Sequence, residues 1–336
     1  MRLCSVILFL SFPFSAQTQT LGGAATFQFL KLPPSALQSA TGGLNISMPV
    51  QDAGSAWVNP ASLHPQLHGN VSASFLNLFA ASTGLQAAGV VEFSKWKATA
   101  GGGVSFIDYG SVPQTDAAGN EAGTFRAREY VVQTSVAKSY LQRWRYGVAL
   151  KLAGAQYGRF SALGLAADVG LRYSDTAQGM HVAVVMRNAG VQIKRFDGGG
   201  EELPFEVVAG ITKKLEKAPL AFSLTGQYLH RLRISYPDSL TAAGKPSTGI
   251  VRELVNHLIV ATHVYVSPQL QFHAGYNALR AFEMRTPNGG SGLNGFSGGL
   301  ALQLKKIGLQ YASAWYNRRA TNHITLHVLL GSAGKL

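Results

Sequence analysis

His323 and His327 stand four apart in a stretch where apolar and polar residues alternate, so both fall on one wall of an extended strand. His273 sits in a similar alternating stretch and can face them across an enclosed space. A zinc site needs a third or fourth ligand, and partners that orient each ring. No carboxylate is spaced to supply one, so these histidines are expected to fill a polar interior, with no metal and no other cofactor. Asp168, Arg172, Lys151, Arg187 and Glu206 share one parity in neighbouring alternating segments. They could line a conducting path. A mutually neutralising network fits better, because an unpaired buried charge is costly.

Acid/base or nucleophilic chemistry finds little support. Asp168 and Glu206 have no nucleophile or substrate-positioning group beside them. Ser47, in Gly43-Leu44-Asn45-Ile46-Ser47, and Ser105, in Gly103-Val104-Ser105, lack the Gly-x-Ser-x-Gly elbow. A barrel phospholipase would need Ser and His of matching strand parity with an orienting Asn. The run Gly101-Gly102-Gly103 lies within an alternating segment and not before a helix, so it reads as relief of crowding and not as a phosphate loop. Cys4 is the only cysteine and lies in the leader, which leaves the rest of the chain no disulfide, thiolate metal site or cysteine nucleophile. No catalytic residue emerges, and the chain reads as a non-enzyme.

The elements that would position these residues are short and two-faced. Residues 1–16 read as a signal peptide, with Arg2 ahead of an apolar run from Leu3 to Leu10 and small residues at Ser15-Ala16. Residues 17–67 are irregular, with Pro33-Pro34, a short helix expected at 35–40, Gly42-Gly43, and Asn59-Pro60-Ala61 as a turn or helix start. Such backbone cannot face lipid, so it is expected to plug the interior of the fold or cap its periplasmic mouth.

From residue 68 to 331 the period is two. Leu163, Leu165, Ala167, Val169 and Leu171 oppose Gly164, Ala166, Asp168, Gly170 and Arg172, and comparable segments recur along the chain. Strands are expected at 68–80, 84–94, 97–109, 126–138, 144–157, 160–173, 179–189, 203–213, 219–233, 252–266, 269–280, 296–304, 307–316 and 321–331. Long connections fall at 110–125, 190–202, 234–251 and 281–295, all of one parity, with short turns between them. An all-β, transmembrane antiparallel barrel of about 14 strands sorts its loops this way, long outside and short in the periplasm. No apolar run reaches the roughly 18 residues that a spanning helix needs. Hydrophobic residues make up 46% of the chain and charged ones only 13%, which suits a wall with lipid on one side. The expected location is therefore the outer membrane, with long loops extracellular and both termini periplasmic.

The net charge is +13. A secreted chain does not meet nucleic acid, so anionic lipid headgroups or phosphorylated polysaccharide are the expected partners. The two rims differ in kind. The short-turn rim is mostly lysine, with Lys95, Lys97, Lys138, Lys213, Lys214, Lys217, Lys305 and Lys306 beside Arg143 and Arg145. The long-loop rim is mostly arginine, including Arg126, Arg128, Arg195, Arg231, Arg233, Arg280, Arg285, Arg318 and Arg319. Guanidinium grips phosphate bidentately. These nine are candidate contacts to lipopolysaccharide phosphate or to an acidic partner.

Phe29-Leu30-Lys31-Leu32-Pro33-Pro34-Ser35-Ala36, followed by Gly42-Gly43-Leu44-Asn45-Ile46-Ser47, resembles the opening of PorQ proteins, outer-membrane components of the type IX secretion system. Leu203-Pro204-Phe205, Gly210-Ile211-Thr212-Lys213-Lys214-Leu215 and Phe222-Ser223-Leu224-Thr225 extend the likeness. Asn59-Pro60-Ala61 also recurs in the wider FadL-like superfamily. The resemblance implies a FadL-like, 14-stranded barrel with an internal plug that anchors a surface β-propeller subunit of an attachment complex. The rivals are a FadL-like transporter of hydrophobic small molecules and a secreted β-sandwich adhesin.

Overall fold

A computed structural model of the chain describes residues 25–79, 81–116, 118–196, 200–234, 249–283, 292–316 and 319–330. The expected signal peptide, Arg285 and Arg318 lie outside the described residues. The strands are β1 (Asn70–Asn77), β2 (Thr83–Phe93), β3 (Ala98–Thr115), β4 (Glu121–Tyr140), β5 (Trp144–Tyr157), β6 (Phe160–Asp175) and β7 (Met180–Lys194). They continue as β8 (Glu206–Lys214), β9 (Leu220–Gly226), β10 (Leu258–Tyr265), β11 (Leu270–Asn277), β12 (Phe296–Gln303), β13 (Ile307–Tyr316) and β14 (Arg319–Leu329). Each pairs antiparallel with its sequence neighbours, and β1 pairs with β14 to close the barrel. Closure leaves no open edge, which excludes the two-sheet sandwich.

The alternation in sequence is the alternation in space. Along β5, Val148, Leu150 and Leu152 point outward and are exposed, while Ala149, Lys151 and Ala153 are buried. On β14, Ile324 and Leu326 point outward, and His323, Thr325 and His327 point inward. The outer wall is thus apolar and the inner wall small or polar, the inverse of a protein with water outside. Among the described residues no helix is long and apolar enough to cross a membrane.

Five boundaries differ from the sequence expectation. Residues 110–125 are not one long loop: β3 and β4 run on as a paired hairpin, Ser111 opposite Arg126 and Thr115 opposite Glu121. Asp116 turns the chain there by accepting from the amides of Ala118 and Asn120, each at 2.9 Å. Strand β7 likewise continues to Lys194. Strand β9 stops at Gly226, well short of 233. Residues from 252 open as a helix, α2 (Ile250–Asn256), whose apolar residues Ile250, Val251, Leu254 and Val255 follow a helical period. A further helix, α3 (Ala278–Glu283), replaces the expected end of the eleventh strand. Asn277 Oδ1 starts it by accepting from the Arg280 amide at 3.1 Å.

Candidate functional site

Residues 25–67 lie within the ring of strands as short turns and one helix, α1 (Ala36–Ala40). A segment with so little repeating structure must find partners for its backbone elsewhere. The inner wall supplies them from opposite sides. Thr325 Oγ1 accepts from the Ala36 amide at 2.9 Å, and Ser297 Oγ accepts from the Gly42 amide at 3.0 Å. Across the lumen, Gln133 Nε2 donates to the Ala56 carbonyl at 3.0 Å, and Arg172 Nη2 donates to the Ser47 carbonyl at 2.9 Å.

Asn59, Pro60 and Ala61 form a fully buried turn. Asn59 Oδ1 accepts from the Ala61 amide at 2.9 Å and caps the turn Pro60–Ser62. The turn presses on Gly147 of β5 and Gly170 of β6, which are cross-strand partners. A methyl group at Gly147 would lie 2.6 Å from the Pro60 carbonyl carbon, and one at Gly170 would collide with Asn59 Oδ1. Two bare glycines thus make the recess that receives the motif.

The inward charges divide into pairs and an exception. Lys151 Nζ meets Asp168 at 2.6 Å and donates to Asn188 Oδ1 at 2.9 Å; both charged side chains are buried. Arg187 meets Glu206 more loosely, at 3.7 Å, and Arg187 Nη2 donates to the Leu30 carbonyl at 3.4 Å. Lys31, on the amino-terminal segment, is lowered to about 8 by burial, against the opposing pull of Glu206. Arg172 departs from the expected neutralising network. Its donors go to the Ser47 and Met48 carbonyls and to the Ser62 and Ser174 hydroxyls, with no carboxylate among them.

The three histidines do not converge. His323 Nδ1 bonds Ser39 Oγ at 2.9 Å, His327 Nε2 donates to Gln303 Oε1 at 2.7 Å, and His273 pairs through Nδ1 with His263 Nδ1 at 2.9 Å. His263 continues to Ser223 at 2.8 Å, Ser223 to Thr212 at 2.7 Å, and Thr212 to Ser47 at 2.8 Å. Four adjacent strands are thereby linked by one polar chain to the amino-terminal segment. Among the described residues no group of three or more His, Cys, Asp or Glu is arranged to hold a metal. Sequence reasoning also passed over Glu129, buried between Tyr109 and Tyr157, whose hydroxyls both donate to its carboxylate. Inward parity was its only signal.

Among the described residues, cavities border the segment. One of about 40 Å³ is lined by Phe29, Pro33, Trp57 and Ile107 with Lys151 and Arg187. Another, about 480 Å³, lies at the short-turn end and is lined mostly by polar residues, among them Arg145, Arg172, His181 and Lys214.

The rim arginines scatter. Arg126, Arg195, Arg233 and Arg319 are exposed. Arg128 pairs with Asp108 at 3.2 Å, and Arg231 is half-buried. Arg280 is a correction: it turns inward, donates to the Gly42 carbonyl at 2.7 Å and stacks over Tyr316. Its strand gives way to α3 before reaching the rim, so its side chain holds the internal segment instead.

No family model matches this chain, and neither does any curated protein. Solved structures share its fold. The CymD monoaromatic hydrocarbon channel is 12% identical with a TM-score of 0.52, covering 89% of this chain and 97% of that one. The Pseudomonas putida toluene transporter TodX is 12% identical at 0.51, covering 88% and 96%. A Pseudomonas aeruginosa FadL homologue is 9% identical at 0.50, covering 88% and 98%. The chain is a closed 14-strand antiparallel barrel, and its fold is similar to that of these channels.

Proposed function

We propose that this barrel is a non-enzymatic outer-membrane component of a type IX secretion system and anchors a surface attachment-complex partner, as the likeness to PorQ proteins implies. The observation that carries the reading is the filled lumen. Residues 25–67 are bonded to opposite walls, and the smaller cavity beside them, about 40 Å³, falls well short of the ~150 Å³ that accepts benzene. Most residues lining the larger cavity are polar, Arg145, Arg172, His181 and Lys214 among them. An anchor needs a rigid barrel and a partner surface, not a path.

The long-loop side offers such a surface. Leu232 (86% exposed), Ile250 (78%) and Val251 (73%) present apolar side chains there, flanked by Arg233 and Arg252. In this reading that side is extracellular, both termini are periplasmic, and the partner is a β-propeller subunit. The exposed Arg126, Arg195, Arg233 and Arg319 grip lipopolysaccharide phosphate. Equal lipopolysaccharide retention by the wild type and by a variant with all four changed to Gln would end that part of the proposal.

A second reading, a FadL-like transporter of hydrophobic small molecules, is the one the solved relatives favour, because CymD and TodX are named for aromatic hydrocarbon passage. At 9–12% identity the shared fold does not carry the cargo with it. One experiment separates the two. Affinity purification from detergent-solubilised envelopes, read by mass spectrometry, is expected to bring down a large β-propeller protein. Toluene entry into vesicles, lost when residues 25–67 are cross-linked to the wall, would overturn the anchor in favour of the transporter.

A further inference from the structure

We infer that the chamber of about 480 Å³ at the short-turn end is a binding site for a phosphate monoester. The inference stands apart from both readings above, since neither assigns this chamber a ligand. Its floor is a pair of guanidinium groups that pair with no carboxylate among the described residues. Arg145 on β5 and Arg172 on β6 are cross-strand partners of the same inward parity. Like charges placed directly opposite destabilise a sheet unless an anion joins them. Arg172 spends its donors on two carbonyls and two hydroxyls, which orient the group but leave its charge unmet. The Arg145 Nε–H is buried with no acceptor.

Two more side chains in the lining are over nine-tenths buried and have a ring nitrogen without a partner. They are His181 Nδ1, on a residue 8% exposed, and His273 Nε2, on a residue 4% exposed. His273 is the end of the chain through His263, Ser223, Thr212 and Ser47. That chain has one orientation in which His263 Nδ1 donates to His273 Nδ1, which leaves the remaining proton on Nε2, a buried atom of a residue that lines the chamber. An acceptor in the chamber selects this orientation. Lys214 stands at the mouth as a third cation. Among the described residues no carboxylate lines the space. Asp175 and Asp52 stand outside the lining: Asp175 pairs with Arg143 at 2.9 Å, and Asp52 accepts from the Gly54 amide at 2.8 Å through Oδ1, while its Oδ2 is buried without a partner. Three cations, planar donors and no acid define a site for a compact dianion, and its volume leaves room for an attached sugar or glycerol.

A phosphate monoester can reach the chamber as a soluble ester or as a lipid headgroup, and one experiment covers both. The full chain, folded in detergent and checked by heat-dependent gel mobility, is titrated calorimetrically with sn-glycerol 3-phosphate against chloride of equal ionic strength. A single saturable site is expected in the wild type. Arg145→Gln is expected to bind about tenfold more weakly or worse while staying folded, since Arg145 has no protein partner to lose. His181→Gln serves as a second variant with a milder loss. Short-chain phosphatidic acid forms the other arm: tighter binding than glycerol phosphate assigns a lipid headgroup, equal binding a soluble ester. A response no different from chloride, or unchanged binding by Arg145→Gln, overturns the site.

Discussion

Burial of Lys151 against Asp168 makes each side chain depend on the other. Lys151→Met leaves a buried carboxylate without its cation, and a loss of about 3–5 kcal/mol is expected in urea unfolding of the detergent-folded barrel. Changing both, Lys151→Met with Asp168→Leu, should recover most of that loss. His64 gives a separate test with a sign. Burial first, and then the guanidinium charges of Arg145 and Arg172, lower it from 6.5 to about 4. Between those values the unfolded chain binds a proton that the folded chain refuses, so His64 makes stability fall as pH drops from 6.5 towards 4. Thermal melts of wild type and His64→Gln across that range should diverge, with the variant losing less. Parallel curves would mean that His64 titrates normally.

Strands β5 and β6 hold the Asn59-Pro60-Ala61 turn only because Gly147 and Gly170 carry no side chain. Gly147→Ala should cost about 1–3 kcal/mol through overpacking and loosen residues 25–67 to protease. Gly102→Ala, whose added carbon meets only the Gln133 carbonyl at 3.7 Å, is the silent control. Such strands were legible in the sequence because a wall between lipid and a packed lumen imposes strict alternation. The signal fails where that contrast ends. The far hairpin of β3 and β4 has exposed residues on both faces, so Ser111 to Thr115 look like loop. Helix α2 reads as a strand in the sequence because its apolar run is short. The Arg145–Arg172 pair stayed hidden for another reason: a rim count put Arg145 among surface cations, and only strand register brings it beside Arg172.

As a whole the molecule inverts the usual distribution of polarity, and its stability should depend on its surroundings accordingly. Leu150, near the middle of β5, is 57% exposed on the outer wall. Leu150→Arg should cost about 2–4 kcal/mol in a bilayer, as charged residues do at mid-height on a lipid face. On a water-facing surface a similar change would fall within about 0.5 kcal/mol. Comparing folded fractions after refolding into lipid vesicles checks this directly; a neutral result would remove lipid from the outer wall. The grip of Thr325 on the Ala36 amide joins residues 289 positions apart. The segment that holds Ala36 therefore waits for β14 before its docking is complete. Once β1 meets β14, that stretch is enclosed. Threading must come before sealing, so whatever inserts this chain has to receive the amino end already laid inside the curling sheet.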